Sequence, residues 1–159
     1  ISNTSLAVCQ VDIPASTPDS QLQDNGDGTV TDNKTGLMWK QCSEGLSGAD
    51  CATGAATTHQ WNQALQIPET LNPGGGFAGY SDWRLPNIKE LRSIVEYQCS
   101  DPAINSSRFP ATASSYYWSS SASAVYSSNA WCVHFNDGRD NNNGRSNGSR
   151  YVRLVRAGQ

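Results

Sequence analysis

Cys132 and His134 lie two positions apart in the run Ala130 to Asn136, where Trp131, Val133 and Phe135 alternate with Cys132, His134 and Asn136. A period of two predicts a strand with the first set on the core and the second facing outward. A thiol and an imidazole on one outward face are the residues most able to do chemistry, as a nucleophile and a ligand contact. Neither has a partner that the sequence identifies, and a leftover thiol on a strand is more often inert than reactive. Other catalytic signatures are missing. There is no G-x-S-x-G and no H-E-x-x-H, and the carboxylates are too scattered to nominate an acid–base pair. Pro73-Gly74-Gly75-Gly76 lacks the Lys-Ser/Thr ending of a phosphate loop and the spacing of a dinucleotide fingerprint. The expectation is a chain that is not an enzyme and carries no cofactor.

One metal site is a candidate. The acidic turn Asp24–Asp32 gathers carboxylate and amide oxygens suited to calcium, although its spacing is not that of an EF-hand. A tight hairpin using positive backbone dihedrals at Asn and Gly explains the same residues. Zinc spacing is absent, because none of Cys9, Cys42, Cys51, Cys99 and Cys132 forms a C-x-x-C pair. Cys42 and Cys51 flank a Gly/Ser-rich stretch and can close a short loop. Cys9 and Cys99 then remain as a long-range staple, with Cys132 left over. That arrangement fits an oxidising compartment; five buried free thiols in a cytosolic protein is the alternative.

Charge narrows the ligand class. From Cys132 onward five arginines (139, 145, 150, 153 and 156) face only Asp137 and Asp140, a local net of +3 in a chain whose formal net charge is -3. Every cation beyond Lys89 is Arg, whose planar fork suits two-point contacts to sulfate, phosphate or carboxylate. Arg84 and one of Arg153 or Arg156 are expected to be partly buried and paired. With 16% charged residues and that acidic balance, the chain does not read as a general nucleic-acid binder.

The elements that must position these groups fit one domain of 159 residues. Hydrophobic residues make up only 36%, and mean hydropathy is -0.56, but five Trp and six Tyr supply large packing surfaces. No apolar run approaches a membrane span, so direct membrane insertion is not expected. Residues 1–20, rich in Ser, Thr and Pro, read as a linker or extended arm, and residues 21–159 as the domain. The chain starts with Ile, and the expectation is a processed piece preceded by a signal; Val8 is a poor residue before Cys9 for a lipid anchor. Thr29-Val30-Thr31 and Leu37-Met38-Trp39 read as strands between turns, and residues 43–57 as a small-residue loop. A helix is expected from Thr58 to Ile67, with Trp61, Ala64 and Leu65 on one face and Pro68 limiting it. A second begins after Asn87, with Glu90 completing a capping box and Ile88, Leu91 and Val95 as its buried stripe. Tyr116 to Ser121 reads as a strand and Tyr151 to Arg156 as an alternating closing strand. Residues 136–150, almost all Asn, Asp, Gly, Arg and Ser, read as a polar display.

Five ordered motifs also carry a resemblance. They are Asp24-Asn25-Gly26-Asp27-Gly28-Thr29-Val30-Thr31-Asp32; Thr35-Gly36-Leu37-Met38-Trp39; Gly79-Tyr80-Ser81-Asp82-Trp83-Arg84-Leu85-Pro86 with Glu90-Leu91; Trp118-Ser119-Ser120-Ser121; and Val152-Arg153-Leu154-Val155-Arg156. Together they resemble the bacterial domain family that includes the C-terminal domain of the Legionella collagen-like adhesin. The resemblance implies an α+β, C-type-lectin-like fold with two helices, a small antiparallel sheet and long loops, related to formylglycine-generating enzymes. It implies surface attachment, including trimeric binding of sulfated polysaccharides, or a hypervariable receptor of a diversity-generating retroelement. Calcium-dependent sugar-binding lectins carry Glu-Pro-Asn or Gln-Pro-Asp with Trp-Asn-Asp, which this chain lacks. Formylglycine-generating enzymes use a C-terminal cysteine pair, whereas Cys132 stands alone, so an oxidase is the weakest of the implied roles.

Retroelement mutagenesis of Asn codons at adenine never yields Lys, Glu, Gln, Met or Trp, and none of these occurs from Cys132 to Arg150. Any exposed Gly/Asn-rich loop has the same composition, so both explanations stand. The combined expectation is a secreted or surface-displayed binding domain, with a homotrimer as one form. Its ligand site would comprise Tyr126, Asn129, His134, Asn136, Arg139, Asn141, Asn142, Asn143, Arg145, Asn147 and Arg150. Its ligand would be a sulfated polysaccharide or another surface ligand.

Overall fold

The computed structural model describes residues 6–158. The arm before the domain is tied down. Its strand β1 (Val8–Cys9) is bonded through Cys9 to Cys99, and Ser16 and Thr17 donate to the buried Glu96 carboxylate. The first sheet is then set by turn chemistry. β2 (Leu22–Asp24), β3 (Thr29–Asp32) and β4 (Leu37–Lys40) are antiparallel neighbours. Gly26, Gly28 and Gly36 at their turns have φ of +75°, +86° and +72°, where a side chain is disfavoured. The turn carboxylates are occupied locally: Asp24 accepts from the Gly26 amide, Asp27 from Thr29 and Asp32 from Lys34. Among the described residues, no group of three or more His, Cys, Asp or Glu is placed to hold a metal ion.

The stretch expected to be only a loop contains a small ladder, β5 (Leu46–Ser47) with β6 (Thr53–Gly54), closed by the Cys42–Cys51 disulfide. Both disulfides therefore match the expected pairing. Helix α1 (Trp61–Leu71) runs past Pro68 instead of stopping there. Pro68 is buried one turn after buried Ala64, and this packing outweighs the hydrogen bond that proline removes. Helix α2 (Ile88–Ser93) begins as the sequence predicts: Asn87 accepts from the Glu90 amide and Glu90 from the Asn87 amide. Of the expected stripe Leu91 and Val95 are buried, joined by Ile94, while Ile88 is only half-buried.

β7 (Cys99–Ser100) pairs with β1. β8 (Tyr116–Ala122), β9 (Asn129–His134) and β10 (Arg139–Gly144) form a three-stranded antiparallel sheet with β9 in the centre. β11 (Val155–Ala157) closes the first sheet beside β4. The architecture is α+β: two helices and several small antiparallel sheets joined by long loops.

The simple inside–outside alternation expected of β9 fails, because both faces of its sheet are covered. Tyr117, Val133 and Phe135 enter one apolar cluster with Trp39, Leu91 and Val95. Trp118, Ala130 and Cys132 enter another with Trp83, Val152 and Leu154. Cys132 is thus buried, and Trp131, expected inside, is only half-buried. The closing segment does not alternate either: Val152 to Arg156 is buried throughout, and its strand starts only at Val155. Arg153 donates to Lys40 O, Gln41 O and the Ser43 and Thr112 hydroxyls, while Arg156 pairs with Asp82 at 2.6 Å. Both arginines are buried. The expected pairing of Arg84 is with Glu90, at 2.7 Å through both oxygens.

Candidate ligand-binding face

The polar segment 136–150 is a display, but its middle six residues are a strand. Asn and Gly disfavour strands, yet β10 runs for six residues because β9 offers it a full ladder, from Arg139↔His134 to Gly144↔Asn129. Strand alternation then sorts the side chains. Tyr116, His134 and Arg139 form one cross-strand row, and Trp118, Cys132 and Asn141 the next on the same face, with Asn143 opposite Ala130 beyond. Asp140, Asn142 and Asn129 belong to the opposite face, where Arg92 of α2 reaches Asp140 at 3.4 Å.

Two arginines from the loop after β10 complete the first face. Arg150 lies over the Tyr116 ring, 4.3 Å from its centroid, and donates to Asn143 Oδ1 at 2.9 Å. Its Nε is buried without a hydrogen-bond partner. Arg145 lies 4.4 Å over the Trp61 ring and donates through Nε to Asn129 O. Among the described residues neither pairs with a carboxylate, so each guanidinium is oriented by an aromatic plate and keeps uncompensated charge. The backbone adds to this. Arg145 O accepts from the Trp61 amide and Arg150 O from the His59 amide, which brings the N-terminus of α1, free of acidic residues in its first turn, beside both arginines.

The remaining expected residues divide. His134 stacks on Tyr116 at 4.1 Å and has Asp137 at 3.9 Å from Nδ1. Arg139 is on the face but bound to Asp137 at 2.5 Å, and its guanidinium holds that carboxyl below the usual carboxylate range. Asn141 and Asn143 are on the face. Asn129 and Asn142 bond each other on the reverse, at 2.8 Å. Asn136 turns away to Asp101, Tyr126 protrudes from the β8–β9 loop, and Asn147 accepts from Ser149 in the loop between the two arginines. The eleven residues are therefore not one constellation. Five of them, His134, Arg139, Asn141, Asn143 and Arg150, share a sheet face, with Arg145 at its border.

Sequence reading missed Trp61, Tyr116 and His59 as parts of this face. Helical spacing places Trp61 on the core face of α1, yet it is half-buried, its Nε1 donating to Ser119 O at 2.8 Å. His59 approaches Arg150 only through the backbone bridge, and burial lowers its pKa, partly offset by Glu44. A tryptophan and a tyrosine brought to an Arg-rich loop only by the fold leave no short-range spacing to find. Cys132 lies beneath the face. Its thiol donates to Asn141 O, accepts from Asn143 Nδ2 and, chiefly through burial, is pushed up to about 11.

A family model described as the Lcl C-terminal domain matches residues 28–156, which takes in β3 to β10, both helices, most of β11 and the whole face, while β1 and β2 lie before it. No curated protein matches the chain at a significant level. The match covers most of the sequence and includes four of the five motifs whole and most of the first; the chain belongs to the Lcl C-terminal domain family.

Proposed function

We propose that this adhesin-like domain acts outside the cell as a non-catalytic binding module for anionic, sulfated polysaccharide. The observation that carries the reading is the pair Arg145 and Arg150, each laid on an aromatic ring and without a carboxylate partner among the described residues. Sulfate and carboxylate groups spaced along a sugar chain are what such a pair can hold through two-point, charge-assisted hydrogen bonds. Tyr116, His134, Asn141 and Asn143 would supply neighbouring polar and stacking contacts. The C-type-lectin-like fold implied by the resemblance belongs to the same reading, as does assembly into trimers, which would multiply weak contacts. Two disulfides and the family suit an extracellular or surface location. No helix of the described residues is long and apolar enough to cross a membrane.

The burial of Cys132 weighs against an oxidase, because a thiol pushed up to about 11 is almost wholly protonated at neutral pH. It also removes one support from the diversified-receptor reading, since Cys132 fills a core position instead of decorating the surface. What still favours that reading is Asp140 and Asn141, exposed on an edge strand whose side chains contribute little to either core.

The test is binding to immobilised heparin at low and physiological salt, with Arg145→Ala and Arg150→Ala alongside. Saturable retention that weakens with salt and with either substitution is expected. Absence of retention at low salt would rule out the anionic-glycan reading, and retention unaffected by both substitutions would move the site elsewhere.

A further inference from the structure

The chain contains three Asn-Gly pairs, Asn25-Gly26, Asn143-Gly144 and Asn147-Gly148, and the structure treats them differently. Asn-Gly is the dipeptide most open to spontaneous deamidation, because glycine leaves its own backbone nitrogen unshielded. That nitrogen must reach the asparagine side-chain carbonyl carbon. At the first pair the Gly26 amide is engaged by Asp24 Oδ1 at 2.9 Å, and Asn25 Nδ2 is held by the Thr29 and Thr31 hydroxyls. At the second, Asn143 Oδ1 also takes a donor, from Arg150, but Asn143 and Gly144 are locked in the extended β10 ladder, which keeps the Gly144 nitrogen from turning onto the side-chain carbonyl, and Asn143 Nδ2 is held by Cys132 Sγ.

Asn147 lies outside helix and strand, and the Gly148 amide donates to no group among the described residues. Asn147 Oδ1 instead accepts two hydrogen bonds from Ser149, from the amide at 3.0 Å and the hydroxyl at 2.6 Å. Two donors on that oxygen draw electron density from the side-chain carbonyl and stabilise the oxyanion formed when it is attacked. The Ser149 hydroxyl also lies 3.4 Å from Arg150 Nη1, so Asn147 is one side chain removed from the proposed anion site.

We propose that Asn147-Gly148 is a self-modification site whose deamidation weakens anion binding at the neighbouring arginines. The Gly148 nitrogen bonds to Asn147 Cγ and gives up its proton, and the side-chain nitrogen leaves as ammonia, closing a succinimide. Water then opens the ring at either carbonyl, yielding aspartate or isoaspartate. Either product places a carboxylate within the Ser149–Arg150 network, where it competes with a ligand sulfate for the guanidinium. The effect on binding rests on the polysaccharide reading above; the modification itself does not.

The test ages the purified, disulfide-bonded protein at mildly alkaline pH and maps peptides by mass spectrometry at intervals. Deamidation and isoaspartate should accumulate at residue 147 well before residues 25 and 143, and Gly148→Ala should slow it several-fold. That substitution is accommodated, because a Cβ at Gly148 would meet only Gln60 Cγ at 3.7 Å. Ser149→Ala should slow it too. Equal or faster reaction at Asn25 or Asn143, or an unchanged rate in Gly148→Ala, would overturn the proposal. Heparin retention of fresh protein, aged protein and Asn147→Asp is then compared. Reduced retention in the last two supports the regulatory step, and equal retention in all three refutes it. If fresh protein does not bind heparin at all, the polysaccharide reading and the regulatory step fall while the mapped modification stands.

Discussion

Replacing Glu96 by Gln tests how the N-terminal arm is held. The carboxylate is buried and takes five donors: the Ser16 amide and hydroxyl and the Gln98 amide on Oε1, and the Thr17 amide and hydroxyl on Oε2, at 2.7–2.9 Å. Burial pushes its pKa up, but the backbone amides of Ser16, Gln98 and Thr17 and the Thr17 hydroxyl together outweigh this and hold it below its ordinary value. Glutamine keeps one acceptor and turns the other into a donor facing the Thr17 amide. That amide loses its partner, at about 1–3 kcal/mol, and the bonds that remain lose their charge assistance. Allowing for overlap between these effects, the expected loss is roughly 3 kcal/mol, a large share of the stability of an ordinary domain. Urea denaturation of the oxidised protein reads the loss, and amide exchange at Ser16 and Thr17 reads where it falls. The sign with pH follows from the lowered pKa. The stabilisation is present above the unfolded-state value and is lost as pH falls through the folded one, so the gap between wild type and Glu96→Gln should narrow in acid. A loss below about 1 kcal/mol, with unchanged exchange at Ser16 and Thr17, would refute the reasoning.

Other substitutions probe the frame around the face. Gly138 has φ +81°, and a Cβ there would overlap Val95 Cγ1, so Gly138→Ala should cost about 2–4 kcal/mol in a denaturation midpoint experiment. Cys132 should resist thiol reagents in the native protein at neutral pH and react fully once unfolded, with blocking reagent chosen to leave the two disulfides intact. Reaction at the rate of a free thiol would contradict its place beneath Asn141 and Asn143.

What the sequence made legible was local. The Asn87–Glu90 capping box needs only residues three apart, and the glycine turns of the first sheet need only their own dihedrals. The Cys42–Cys51 loop was legible from its short spacing, while Cys9–Cys99 was only what then remained, with nothing in the sequence to exclude Cys132. The errors arose where tertiary contacts overrule local pattern. Pro68 signals a helix end until its buried position is known. Cys132 reads as outward until a second cluster covers that face of β9. Asn141 to Asn143 disfavour a strand until β9 supplies the ladder. At the site, the arginines were legible by type, but their ring partners Trp61 and Tyr116 were not, because folding alone brings them together. Strand parity then divided a list that composition had treated as one surface.

The Cys9–Cys99 bond also decides how the domain would carry mechanical load. Tension applied through the chain before Cys9, against a ligand held at Arg145 and Arg150, crosses the disulfide and continues from Cys99 toward β8. The first sheet's β2, β3 and β4 and both helices lie on the bypassed loop, out of the covalent line of force. A module anchored in this way could be pulled by flow without its main core being unravelled from the N-terminal side, and reducing that one bond would put the entire loop back under strain.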